Sequence, residues 1–326
     1  MAEPPSSPPP GGSSKPSTST SRRCTVPLDE DAAAYLEHYR SPLHLLRSGE
    51  QTMASIRRDQ ARPVSARLPP LRNVVDVLGA GRTLRLYVPQ SARPLPVVLY
   101  LHGGGWVFGS LETHHVVCAE LAHRSGCLVA SLDYRQPPEF PFPAALDDVW
   151  ASLHWLHQGA REYGGDPARI GVAGDSAGGN LAAAAAIKAR DNGFPLRAQL
   201  LIYPIVDDDF SKPSYVKYGS GFGLDAESMA WYWDQYSPQR SSPYASPLRC
   251  HDLSGVADAH IVSVEFDPLR DDAFRYRQAL AEAGVSVTHQ HEDTLIHGSL
   301  RLTGAIPAAG SVLAGATGGL RSLVWR

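Results

Sequence analysis

Long apolar runs are missing from this sequence. Its longest purely aliphatic stretch, Leu181 to Ile187, has seven residues, far short of the roughly 20 that span a bilayer as a helix. A transmembrane segment is therefore excluded. Cysteine is scarce: Cys24, Cys118, Cys127 and Cys250 are scattered through 326 residues with no CxxC pair. That argues against the disulfide framework of short, cysteine-dense secreted chains and favours free thiols in a reducing compartment. No apolar signal-peptide core stands near the N-terminus, so a cytoplasmic setting is expected. Excess charge is absent too. Thirty basic side chains face 33 acidic ones for a net charge of -3, which supplies no global attraction for nucleic acid or an anionic membrane. With 43% hydrophobic and 19% charged residues, the composition is that of an ordinary folded protein. The length suffices for one large domain or two ordinary ones.

Residues 1–25 stand apart. Six Pro, seven Ser and two Gly make up 15 of these 25 positions, too little apolar surface to offset the entropy of ordering them. A flexible tail is expected there. Residues 28–60 turn helical, with Asp29 as a cap and Tyr35, Leu36, Tyr39, Leu43 and Leu46 at helical spacing, until Pro63, Pro69 and Pro70 break the pattern. From residue 73 strands and helices alternate. Strand-like runs fall at Val74–Leu78, Leu84–Val88, Val97–Leu101, Leu128–Leu132, Arg169–Ala173, Gln199–Tyr203, His260–Phe266 and Val285–His289. Helical segments lie between them at about 113–124, 144–158, 176–190 and 270–283. This alternation predicts an α/β architecture with a mostly parallel sheet covered on both faces. Residues 205–250, rich in Asp, Ser, Tyr and Trp, interrupt it and are expected to fold outside the sheet.

The strongest chemical signal is Gly174-Asp175-Ser176-Ala177-Gly178, set between a strand-like run and an alanine-rich helix. A serine at a sharp strand-to-helix turn has its hydroxyl presented above the carboxyl end of the sheet, and small neighbours let the chain pass. A serine hydroxyl needs a base to take its proton. In this architecture an acid and then a histidine follow the serine in chain order. Asp267, directly after the strand ending at Phe266, and His297, in the loop beyond the next strand, fit that order. Glu265, Asp271, Asp272, Glu292 and Asp293 compete for the acid's place. Glu265 is expected to point across the pleat, and Asp271 and Asp272 to begin a helix, where carboxylates suit the dipole. His102-Gly103-Gly104-Gly105-Trp106 follows a buried strand and supplies backbone N–H donors for a tetrahedral oxyanion. Gly103, Gly104 and Ala177 are the expected donors. No Gly-Lys-Ser/Thr or Gly-x-Gly-x-x-Gly accompanies the glycines, which argues against nucleotide binding. His114 and His115 with Cys118 bring no further ligand cluster, so they read as helix surface beside core positions and no metal is expected. His154 and His157 read the same way. Trp231, Tyr232, Trp233 and Tyr236 read as cap packing or as the lining of an acyl groove.

Taken in order, these motifs resemble the bacterial hormone-sensitive-lipase-like esterases of the α/β-hydrolase fold. The resemblance covers about residues 73–300. It rests on Tyr100-Leu-His-Gly-Gly-Gly-Trp106, Asp133-Tyr134-Arg135 through Pro138-Glu139 with Pro141-Phe142-Pro143-Ala144-Ala145, Gly174 to Gly179, Asp267-Pro268-Leu269-Arg270-Asp271, and His297-Gly298. It implies a cofactor-free serine carboxylesterase acting on small-molecule esters with short acyl chains, as a monomer or homodimer. It also implies a helical cap built from residues 26–72 and 205–250 over a catalytic domain of residues 73–326. Two positions depart from the family pattern. Ser299 stands where Phe is usual, and Gln136-Pro137 stands where Leu-Ala is usual.

The expected roles are Ser176 as nucleophile, His297 as base, Asp267 as its orienting acid, and Trp106, Tyr203 and Trp231 as substrate contacts. Two alternatives share the fold. One is a non-catalytic ligand receptor, as in the plant gibberellin receptors, which lack the catalytic histidine. The other is an amidase or lactonase using the same triad.

Overall fold

The computed structural model describes Met1, residues 26–63 and residues 67–326. The flexible tail expected over residues 1–25 lies outside the described residues apart from Met1. Three short helices come first: α1 (Glu30–His38), α2 (Pro42–Arg47) and α3 (Met53–Gln60). Each starts on a side-chain cap that satisfies an orphan N–H group. Asp29 accepts from Ala32 N, Ser41 from His44 N, and Thr52 forms a capping box with Ser55.

The sheet is built from β1 (Asn73–Gly79), β2 (Arg82–Val88), β3 (Leu95–Leu101), β4 (Leu128–Leu132), β5 (Gly165–Asp175), β6 (Leu196–Ile202), β7 (Asp258–Phe266) and β8 (Val287–Ile296). The order is β1-β2-β4-β3-β5-β6-β7-β8. β1 and β2 are antiparallel to their neighbours, and the remaining pairs are parallel. β3 and β4 are buried along their whole length, which explains why they read as unbroken apolar runs and not as alternating ones. Helices α4 (His115–Ser125), α5 (Ala144–Gly159), α6 (Ala177–Asp191), α7 (Pro213–Tyr218), α8 (Ala226–Tyr236), α9 (Arg270–Glu282) and α10 (Gly310–Val324) complete the chain. Both α7 and α8 fall in the 205–250 insertion and outside the sheet. Among the described residues, no helix is long and apolar enough to cross a membrane.

Two features differ from the sequence expectation. The last strand runs to Ile296, so His297 follows its end directly. The residues after 300 also carry a helix that no periodicity announced. α10 contains Gly310, Gly315, Gly318 and Gly319, and glycine is a poor helix former. What offsets the poor propensity is close packing on the sheet. A Cβ at Gly319 would lie 2.1 Å from the His260 ring, and one at Gly315 1.8 Å from the Gln290 amide.

One buried ion pair fixes the acid-bearing loop. Lys212 Nζ donates to Asp272 Oδ2 at 2.9 Å and lies 3.7 Å from Asp207, with Lys212 and Asp272 both fully enclosed. Beside it, Ser214 Oγ donates to the Pro268 carbonyl at 2.6 Å, and Ser214 N donates to Asp271 at 3.0 Å. The start of α7 is thereby stitched to residues 268–272, next to Asp267. Removing one partner of such a pair strands a buried charge. We expect Lys212→Met to lower unfolding free energy by about 3–5 kcal/mol in urea titration; an unchanged midpoint would show that the pair contributes nothing.

Candidate active site

β5 hands over to α6 at Ser176, whose backbone sits at φ 56°, ψ -118°. That is a costly conformation for a residue with a side chain, and it is held by Ser176 N donating to the Ile202 carbonyl at 2.9 Å. The turn is sterically tight. A Cβ on Gly178 would lie 1.9 Å from the Leu101 carbonyl oxygen, and one on Gly174 2.3 Å from that of Gly178. Small residues at both positions are therefore a packing requirement.

The structure brings the three expected side chains together. His297 Nε2 lies 3.0 Å from Ser176 Oγ, and His297 Nδ1 lies 2.8 Å from Asp267 Oδ2. Asp267 is fully buried, and its other oxygen accepts from Leu269 N at 2.8 Å. An imidazole whose Nδ1–H faces a carboxylate presents a basic Nε2 to the hydroxyl. Glu265, one of the competing acids, turns elsewhere, accepting from Tyr218, Arg270 and His291. The histidine whose loss marks the receptor class is in place.

Asp175, the residue before the serine, is equally consequential. Its buried carboxylate accepts from Tyr100 Oη at 2.8 Å, Gly103 N at 3.0 Å and His114 Nε2 at 3.2 Å. Burial alone pushes its pKa up, but His114, Tyr100 and the nearby Arg301 outweigh that and hold it well below the ordinary carboxylate range. This corrects two expectations. His114 and Cys118 are fully buried, not helix surface, because the start of α4 packs inward to reach Asp175. Gly103 cannot present its N–H to an oxyanion, because that N–H is already given to Asp175. All three glycines line the cavity beside Ser176 and His297, but only Gly104 and Gly105 have amides engaged in no hydrogen bond among the described residues. The signal for Gly105 was present in the triple glycine, but the fate of Gly103's amide depends on a side chain 72 positions away.

The three expected substrate contacts do not line the cavity. Trp106 is fully buried, stacked on Tyr236 at 4.1 Å, with its indole N–H donated to Asn180 at 3.3 Å. Tyr203 lies beneath the His297 ring, 4.7 Å between centroids. Trp231 packs behind Phe108 at 6.2 Å. The cavity, about 100 Å³, is instead closed by Tyr39, Pro42, Gln60, Phe108, Tyr232 and Arg301 around the serine and histidine. Larger clefts of about 530 and 720 Å³ open elsewhere and include none of the three triad residues.

The two departures from the family pattern also acquire physical roles. Ser299 Oγ bonds back to the Ile296 carbonyl, bracing the turn that carries His297. Gln136 Nε2 donates to the carbonyls of Phe108 at 3.0 Å and Gly109 at 3.2 Å, tethering the glycine loop from outside. Among the described residues, no three His, Cys, Asp or Glu side chains are gathered as a metal would require.

The chain is similar to known hydrolases and esterases. The family described as alpha/beta hydrolase fold matches residues 98–301. The carboxylesterase NlhH of Mycobacterium tuberculosis is 40% identical over 293 residues, covering 87% of this chain and 88% of its own. An ethyl acetate hydrolase of Pseudomonas putida is 37% identical over 239 residues, covering 70% of this chain and 75% of its own. Among solved structures, a thermostable esterase from Pseudomonas putida superposes with a TM-score of 0.81 at 31% identity, over 91% of this chain and 98% of that one.

His102 opens the glycine loop and is fully buried, stacked on Tyr134 at 4.2 Å. Burial, aided by His114, pushes its pKa down to about 3. A histidine whose pKa falls on folding binds its proton less well when folded, so its stability contribution is complete above about pH 6.5 and lost as the pH drops toward 3. Asp175, also depressed, adds an acid-side loss that begins only below its ordinary range near 4. We expect His102 to cost about 2 kcal/mol between pH 7 and pH 5. In urea titrations at both values, His102→Asn, which keeps a donor near Nδ1, is expected to shrink the parent's loss by that amount; an equal loss in both proteins refutes the assignment.

Proposed function

This chain belongs to the α/β-hydrolase family, among its hormone-sensitive-lipase-like carboxylesterases, and we propose that it hydrolyses short-chain acyl esters through an acyl-enzyme formed on Ser176. The observation that carries this reading is the unbroken chain from Ser176 Oγ to His297 at 3.0 Å and from His297 to Asp267 at 2.8 Å.

In the reaction that follows from it, Ser176 Oγ attacks the ester carbonyl while His297 Nε2 accepts the hydroxyl proton. Asp267 holds the ring in the required tautomer and stabilises the imidazolium. The negative charge gathers on the former carbonyl oxygen, and the N–H groups of Gly104, Gly105 and Ala177 are its proposed donors. Collapse expels the alcohol, which leaves with the proton from His297 Nε2. Water then enters, loses a proton to the same nitrogen, and attacks the acyl-enzyme, releasing the acid and restoring Ser176. A bound ester that displaces water from the cavity strengthens each of these interactions. The preference for short acyl groups is supported by the cavity of about 100 Å³ and by the relative named for ethyl acetate.

A cap formed by residues 26–72 and 205–250 is part of the proposal. Tyr39, Pro42 and Gln60 from the first segment and Tyr232 from the second close the cavity. Gln60 accepts from Gly109 N at 2.8 Å, and Arg57 Nε donates to the Val107 carbonyl at 2.9 Å, so α3 is fastened to the glycine loop. The thiols of Cys118, Cys127 and Cys250, all free, fit the reducing, cytoplasmic setting expected from the sequence.

With p-nitrophenyl esters of two to twelve acyl carbons, we expect turnover by the parent that declines with chain length. Ser176→Ala is expected to abolish it with circular dichroism unchanged, and Asp267→Asn to lower kcat by about 10⁴. Undiminished hydrolysis by Ser176→Ala would falsify the acyl-enzyme route. Deleting residues 26–60 is expected to shift the optimum toward longer acyl chains; the same profile in the shortened chain would deny those helices a role in the pocket.

A further inference from the structure

Among its described lining residues, the catalytic cavity has one arginine and no lysine. Arg301 lines it, four residues beyond His297, on the short turn Ser299–Arg301. That turn is rigidly placed relative to the base. Leu300 N donates to Tyr203 Oη at 3.3 Å beneath the His297 ring, Arg301 N donates to the Gly298 carbonyl at 3.2 Å, and Ser299 bonds to Ile296. The guanidinium is not spent on the protein. Among the described residues Arg301 has no ion pair, a state it shares with residues such as Arg161, Arg197 and Arg277, none of which lines this cavity. Both carboxylates of the site are already engaged: Asp175 by Tyr100, Gly103 and His114, and Asp267 by His297 and Leu269. The charge of Arg301 is nevertheless felt at Asp175, His102, Tyr203 and Tyr39, which border or underlie the reacting serine.

We propose that Arg301 selects esters that carry a free carboxylate in addition to the scissile ester bond. The inference rests on the Ser176 acyl-enzyme reading and adds to it a substrate class. A guanidinium presents a planar fork of donors that matches a carboxylate in bidentate fashion. An anionic substrate entering this cavity therefore meets an uncommitted partner, while the neutral ester of the same size gains nothing from it. The field of Arg301 also acts on the tetrahedral oxyanion, but it does so for either substrate and gives no discrimination.

The test compares kcat/KM within two pairs: monoethyl glutarate against ethyl valerate, with the anion on the acyl side, and 4-acetoxybenzoate against methyl 4-acetoxybenzoate, with the anion on the alcohol side. The full chain, Arg301→Gln and Arg301→Lys are assayed at low and high salt. In the parent, the anionic member is expected to be preferred in at least one pair, and that pair reports which side of the ester faces Arg301. The preference is expected to fall about tenfold in Arg301→Gln, the factor one charge-assisted hydrogen bond supplies. The fall should appear mainly as a higher KM for the anionic ester, as loss of uniform binding does. Arg301→Lys should retain part of it, and salt should weaken it. A parent that turns over the neutral esters without favouring either anionic one overturns this assignment alone, as does an equal preference in parent and Arg301→Gln. A parent inactive on all four esters, with Ser176 unreactive toward an organophosphate, overturns the acyl-enzyme reading and this inference with it.

Discussion

A buried carboxylate with three donors, that of Asp175, is the constraint on which the site's geometry depends. Its acceptor oxygens draw in Tyr100 from β3, Gly103 from the glycine loop and His114 from the start of α4. Placed in a dry interior and left unpaired, it would be among the costliest groups in the protein. Paired, it fixes where β5 ends, which way the glycine loop turns and how close α4 approaches. The strained backbone of Ser176 begins at the next residue. The proposed nucleophile and the proposed oxyanion donors are thus set by one anion that takes no part in the chemistry itself.

The proposed acid and base are organised differently. Asp267 and His297 lie beyond the ends of β7 and β8, at the far side of the sheet from β1. Their placement depends on polar ties outside the sheet: Ser214 to Pro268, Lys212 to Asp272, and Ser299 to Ile296. The insertion after β6 thereby does two things. It carries α8 over the cavity, and it anchors the loop on which the acid stands. The proposed oxyanion donors and the proposed proton-transfer pair are built from separate parts of the sheet and meet at Ser176.

Much of this was legible in the residues themselves. β3 and β4 read clearly because strands buried on both faces have no polar alternation to confuse them. Ser176, Asp267 and His297 could be placed in order because each follows a strand, and the order is demanded by the architecture. What escaped the sequence depends on contacts between distant positions. Gly103 and Gly105 are chemically identical in a one-dimensional reading, and only the burial of Asp175 separates them. α10 was hidden by its glycines, which are unfavourable in a helix, although Gly315 and Gly319 are necessary against Gln290 and His260. Of the aromatic residues expected to touch substrate, Trp106 and Tyr203 instead support the site from beneath, while Tyr39, Pro42 and Gln60 reach it from the N-terminal helices.

The stacking of Trp106 on Tyr236, parallel to within 1°, joins the glycine loop to the last turn of α8. The two therefore behave as one mechanical part. A bulky ester that lifts α8 must either break that stack or pull the loop with it, and the proposed donors of the oxyanion hole belong to the same loop. Entry of an oversized substrate is thus penalised twice, by the work of opening and by a misaligned catalyst once open. Under the proposed hydrolysis, selectivity of this kind acts on the transition state through leverage, at a distance from the acyl chain being judged.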